Sequence, residues 1–252
     1  MDQQQILSCA LDIGEQMLIS GAEVHRVEES VTRICNAFGA VRVDVFIITS
    51  SMVVTVHTKD GETYTQTRRI MSSGVDIERI HRLNQLSREI CENNLSAEEI
   101  ETKLNAAINC KEYPMWWEFI CYAVIAAAFT LFFGGTPIET LISLFVGFAV
   151  RCSISLFDKI ITNKIFSKFV STAVATFLAI IAVKFGWIPN VDKIIIGNIM
   201  TLIPGIGLIN ALRDLFTGDS IAGLLRTIEA ILTALAIAAG YFAIAILGEM
   251  VL

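Results

Sequence analysis

Charge is scarce in this sequence. Only 17% of the 252 residues are Asp, Glu, Lys or Arg, while 54% are hydrophobic and the mean hydropathy is +0.62. That shortage excludes an ordinary soluble domain of this length and makes a membrane protein the starting expectation. The charge that exists is uneven. Residues 1–113 hold 11 Lys/Arg and 17 Asp/Glu, a net of −6, whereas residues 114–252 hold 8 of each. The acidic front half has no basic stripe, which argues against a nucleic-acid partner. Paired cysteines are missing too. Cys9, Cys35, Cys91, Cys110, Cys121 and Cys152 form no CxxC, and no His stands at ligand spacing from them, so they read as reduced thiols rather than disulfides or a zinc site. The start, MDQQQILSCALDIGEQ, lacks a basic n-region and a long apolar run. It does not read as a secretory signal, and the front half is expected in the cytoplasm. Walker and GxGxxG spacings are absent. No nucleophile–base pair stands out, so no catalytic residue, metal or cofactor is assigned and the chain reads as a non-enzyme.

The front half is patterned as a small α+β domain of order ααβββαα over residues 1–113. Ile6, Leu7, Ala10, Ile13, Met17 and Leu18 recur at helical spacing. A second helix over about 22–38 carries the stripe Val24, Val27, Val31, Ile34, Phe38, with Gly39 as a stop signal and a Glu29/Arg33 pair outside. The period then becomes two across 41–49, 52–58 and 63–67, with Asp60-Gly61 at a hairpin turn. Helices over 75–92 and 97–110 follow, the second capped by Ser96 with Glu99 completing a capping box. Glu23, His25 and Glu28 span more than one helical face and read as solvated side chains rather than a metal site. Arg68-Arg69 before Ser72-Ser73-Gly74 reads as a strand-to-helix loop.

The back half, 114–252, reads as an α-helical polytopic bundle of five transmembrane helices, since a hydrocarbon core of ~30 Å needs ~20 apolar helical residues. The spans fall at about 116–133, 139–157, 169–184, 192–212 and 221–247. Trp116-Trp117 sits where an interfacial belt belongs. Lys168 and Lys184 bound a short third span and can snorkel. Arg226 and Glu229, three apart in the fifth, are placed to pair with each other. Lys159 and Lys164 between spans two and three, and Arg213 between four and five, put those loops and the front domain on the cytoplasmic side of the cell membrane and the C-terminus, 248–252, outside.

The fourth span breaks the rules of a plain hydrophobic helix. In NIMTLIPGIGLINALRDLFTGDS, Pro204 removes a donor and Gly205 and Gly207 loosen the backbone. Broken helices of this kind point to a transporter's substrate site. A solute carboxylate fits a helix restarting at Pro204, with the amides of Gly205, Ile206 and Gly207 facing it. Asn198 and Thr201 are candidates for its hydroxyl or amine, and Arg213 for an acid group. Asn210 and Asp214 share a face. Asp214, with Asp219 beyond it, is the candidate for proton coupling. The plainer alternative is a kink for packing, with Arg213, Asp214 and Asp219 solvated in a loop.

With these residues in view, the chain resembles the threonine/serine exporter family, specifically its N-terminal half. The likeness rests on Ser20-Gly21-Ala22-Glu23 followed by Arg26-Val27-Glu28, on the strand 41–49, and on the turn Thr67-Arg68-Arg69-Ile70. At the back it rests on Pro204-Gly205, Asn210, Arg213-Asp214 and Gly218-Asp219. The resemblance implies a cytoplasmic domain followed by a membrane bundle in the inner membrane. It implies proton-driven export of threonine and serine, or of a dicarboxylate such as succinate in split relatives. A second, smaller membrane protein then supplies the other half, and self-association is expected. It also marks Ser20, Gly21, Arg26 and Glu28 as the front domain's motif. Two other classes stand beside this reading: a membrane-anchored sensor or enzyme whose front domain is the active part, and a scaffold subunit whose partner carries the solute path.

Overall fold

A computed structural model of the chain describes residues 2–93, 95–109, 113–160 and 163–249; readings that fall on Cys110 and on 250–252 lie outside them. The chain forms two compact units, one from Met1–Lys111 with Gly205–Ile228, the other from Glu112–Pro204 with Glu229–Leu252.

In the first unit, α1 (Gln3–Ile19) and α2 (Val24–Ala37) precede an antiparallel sheet of β1 (Arg42–Ile48), β2 (Ser51–His57) and β3 (Thr63–Arg69) in the order β1-β2-β3. Then come α3 (Ile77–Asn93) and α4 (Ala97–Ile108). The helical stripes do what their spacing predicts. Ile6, Leu7, Ala10, Ile13, Met17 and Leu18 of α1 are buried, as are Val24, Val27, Val31 and Ile34 of α2. All of these but Ile6 share one core with Met52, Val54 and Val56 of the central strand and with Leu83, Ile90 and Ile100. Each Val, Leu, Ile or Met among them contributes about 1.5–3 kcal/mol on burial, which is how a sheet of three short strands is held. The α4 cap has the expected form. The Ser96 amide donates to Glu99 Oε2 (2.8 Å), and the Glu99 amide donates to Ser96 Oγ (3.4 Å).

Two expectations change here. α2 starts at Val24, because 20–23 form a turn. Arg68-Arg69 is not loop: β3 runs through it, with Arg68 opposite Met52. Arg68 is held there by α1, donating to Asp12 Oδ1 (2.9 Å) and Ser8 Oγ (3.0 Å).

The second unit contains α5 (Met115–Phe132), α6 (Pro137–Ile160), α7 (Lys164–Lys184), α8 (Asp192–Met200) and most of α10 (Ser220–Glu249). α9 (Gly205–Thr217) belongs to the first unit, together with the start of α10. Among the described residues four helices, α5, α6, α7 and α10, are long and apolar enough to cross a membrane; α8 and α9, separated by a short break, qualify together as a fifth. α7 begins at Lys164, so this span is not short. Asn163 caps it, its side chain accepting the Ile165 amide (2.9 Å). Small residues let these helices approach closely, the usual basis of packing in lipid. A Cβ on Gly147 of α6 would lie 2.8 Å from the Tyr122 carbonyl oxygen of α5. Val146, Val150, Ala175, Ala179, Ile194 and Leu202 form the apolar centre of this unit.

Candidate functional site

The turn at 20–23 is built tightly. Ser20 is buried, its hydroxyl donating to the Gln16 carbonyl (2.7 Å). The Gly74 amide donates to the Ile19 carbonyl (2.8 Å) and the Asp76 amide to that of Ser20 (2.9 Å). Gly21 has φ +87°, and an added Cβ would press on the Gly74 carbonyl, so only glycine fits. Beyond it α2 begins with Glu23 at the cap position, whose own side chain makes no capping bond.

The missing cap comes from far along the chain. Asp214 of α9 is wholly buried, and its Oδ1 accepts the Val24 amide (3.1 Å), the first residue of α2. A carboxylate there satisfies an orphan donor and lies at the positive end of the helix dipole. Its Oδ2 takes an ion pair from Arg226 of α10 (2.8 Å). Arg226 also donates to the Ala22 carbonyl (2.9 Å). Asn210 donates to the Gly21 carbonyl (3.1 Å), and Arg213 forms an ion pair with Glu23. So each residue from Gly21 to Val24 is held by one residue of the α9–α10 hairpin. The hairpin is itself close-packed: a Cβ on Gly223 would meet the Ala211 carbonyl oxygen at 2.8 Å. Its connection is closed by the Asp219 amide donating to the Asp214 carbonyl (2.9 Å).

This arrangement places the expected site residues in two groups. Asn210, Arg213 and Asp214 come together with Gly21 and Glu23. Asp219 lies next to them; burial first, and then the Asp219 charge, push the Glu28 carboxyl above its usual range, His25 opposing. Arg26 is exposed at the start of α2. Asn198 and Thr201 belong to the other unit. Asn198 is wholly buried, donating to Ser143 Oγ (3.0 Å) and the Ile194 carbonyl (2.9 Å), and Ser143 accepts in turn from Thr130 Oγ1 (2.7 Å). Thr201 donates to the Asn198 carbonyl (2.7 Å). Pro204 immediately precedes α9 rather than opening it, and Gly205 takes the first helical position with Gly207 two residues on. Arg226 pairs with Asp214, not with Glu229 as expected. Asp214 is the stronger magnet because it is buried and shares a second acceptor, the Ala22 carbonyl, with the same guanidinium.

Sequence reasoning missed Arg226 as a member of this cluster. It also missed the Glu118–Arg151 ion pair between α5 and α6. A signal for the latter exists: the two residues are equidistant from the Gly134-Gly135 turn, so an antiparallel helix pair brings them level.

No solved structure matches the chain. Among curated proteins, the "Probable succinate transporter subunit YjjP" of Klebsiella aerogenes is 27% identical over 240 residues, covering 93% of this chain and 89% of that protein. The protein of the same name from Escherichia coli K12 is 24% identical over 239 residues, covering 94% and 93%. Over residues 8–247, nearly the whole of both units, the sequence matches the family model described as "Putative threonine/serine exporter". The chain belongs to that family.

Proposed function

We propose that this chain is one subunit of a two-component exporter of small carboxylate solutes, working in the inner membrane with a smaller membrane protein. The front domain faces the cytoplasm, and export draws on the proton gradient. Threonine and serine are the solutes named by the family; succinate is named by its curated relatives. The observation that carries the reading is the docking of the α9–α10 hairpin on the Gly21–Val24 turn through buried Asp214. A simple anchor needs one span and no such joint. Here a broken membrane segment is wired into the front domain, so movement of one is felt by the other.

In this scheme the broken stretch, with Asn198, Thr201, Pro204, Gly205, Gly207, Asn210 and Arg213, lies along the solute path. Asp214 and Asp219 are the proton-responsive carboxylates. Protonating Asp214 removes its charge from Arg226 and weakens the joint, which is a way to convert a proton into a movement. The test is efflux of labelled threonine, serine and succinate from vesicles under an imposed proton gradient, with and without the smaller partner. Movement of at least one solute, dependent on both chains, is expected. If none moves under any gradient, the exporter reading fails. Full transport by the partner alone reduces this chain to a scaffold.

A further inference from the structure

Between α5, α6 and α7, within the second unit, lies a cleft of about 260 Å³ lined by Glu118, Tyr122, Arg151, Asp158, Ser167 and Lys168 among others. We infer that this cleft is a binding site for the carboxylate group of a small solute, with Ser167 and Lys168 as its recognition pair and Arg151 as its fixed charge.

Three features lead there. Arg151 is held rigidly. It is ion-paired with Glu118, donates to Ser155 Oγ (3.1 Å), and lies over the rings of Phe119 (5.5 Å) and Tyr122 (5.7 Å). A guanidinium fixed on aromatic faces inside a membrane bundle keeps its charge without collapsing onto solvent, and ionisable groups there mark solute paths. The cleft also carries a surplus of positive charge: Arg151, Lys164 and Lys168 against Glu118 and Asp158. An added anion balances it. Finally, Ser167 is 1% exposed and lines the cleft, yet its Oγ has no hydrogen-bond partner among the described residues. Its neighbours differ: Ser171 donates to the Ser167 carbonyl (2.8 Å) and Thr172 to that of Lys168 (2.9 Å). A buried hydroxyl left without a partner is costly unless something binds it, and a carboxylate oxygen is the acceptor it lacks. The volume suits a solute of the size of threonine or succinate, both of which carry the required group.

The identity of the solute rests on the exporter reading, but the site can be tested without transport. Equilibrium binding of labelled succinate and threonine to the full chain in lipid nanodiscs is measured for the wild type, Ser167→Ala, Lys168→Gln and Lys168→Arg. At least one solute is expected to bind. Ser167→Ala should weaken it about tenfold, the value of a hydrogen bond to a charged group. In the absence of solute it should raise the thermal midpoint slightly rather than lower it, since the hydroxyl removed is buried without a partner. Lys168→Gln should weaken binding further and Lys168→Arg restore most of it. Binding of succinate alone names a dicarboxylate site; binding of threonine alone names an amino-acid site. Wild-type affinity in both Ser167→Ala and Lys168→Gln, or no binding of either solute to the wild type, overturns the assignment. If Lys168→Gln proves unstable, Ser167→Ala alone decides. Loss of vesicle efflux with binding intact would count against the exporter reading and leave this site standing.

Discussion

Replacing Asp214 with Asn tests the joint between the α9–α10 hairpin and the start of α2. The side chain is wholly buried and its two oxygens serve two donors, Val24 N–H and Arg226. Asn keeps one oxygen for the Val24 amide but turns an NH2 group toward the guanidinium, donor against donor. Removing one partner of a buried ion pair costs about 3–5 kcal/mol, because the remaining charge is stranded. Arg226 keeps the Ala22 carbonyl, so the low end, about 3 kcal/mol, applies. At 1.36 kcal/mol per decade that is about two decades in the opening equilibrium of the turn and the first turn of α2. Hydrogen exchange of residues 20–28, followed by mass spectrometry on the full chain in nanodiscs, should show protection falling by about that factor. Residues on β2 should change little. The double variant Asp214→Asn with Arg226→Gln removes both charges and should recover a large part of the loss, since coupled pairs are non-additive. Protection unchanged within twofold in the single variant refutes the joint. Additive losses in the double variant refute the ion pair as its source.

Gly21 and Gly39 both have positive φ, but only Gly21 has a carbonyl where a Cβ would go. Gly39→Ala should cost about 1 kcal/mol and Gly21→Ala at least twice that, measured by denaturant unfolding; equal costs would rule out the contact with Gly74. Glu28 is raised above its usual value by burial and by Asp219. Its folded state therefore binds a proton more tightly than the unfolded one, so the group disfavours the fold above its folded pKa and ceases to do so as pH falls through that value. Glu28→Gln should raise the thermal midpoint at pH 7.5, and the gain should vanish at pH 4; a gain constant with pH refutes the cause. Burial pushes the Cys35 thiol up to about 12, so Cys35 should resist maleimide at neutral pH until the front domain unfolds; rapid labelling at Cys35 itself in the folded chain, read by peptide mass, would contradict that packing.

The regular elements of the front domain were legible because local signals and the buried face agree. Val24, Val27, Val31 and Ile34 repeat at helical spacing and are all buried, and Ser96 with Glu99 announces α4. β3 ran two residues further than its apolar pattern because Arg68 is held by Asp12 on α1, a contact no local window contains. The membrane helices were legible from hydropathy, and their ends less so, since Asn163 capping moved the start of α7 outward. The site was half legible. Pro204, Asn210 and Asp214 stand out as polar or helix-breaking residues in an apolar run. Nothing in the sequence says that Asp214 addresses an amide 190 residues earlier. The Arg226–Glu229 expectation failed for the same reason: spacing proposes neighbours, and burial chooses among them.

The distance along the chain between Val24 and Asp214 also sets an order of events during synthesis. At 5–20 residues per second, the ribosome takes about 10–40 s to make the intervening segment. Through that interval the start of α2 has its amide uncapped and the Gly21 and Ala22 carbonyls unclaimed. Their partners emerge only after α5 to α8 have been made. The joint is thus the last part of the first unit to close, and a chain cut short before α9 leaves it open. An exposed Ser20–Val24 turn would then mark such a chain as unfinished to whatever proteases survey the membrane.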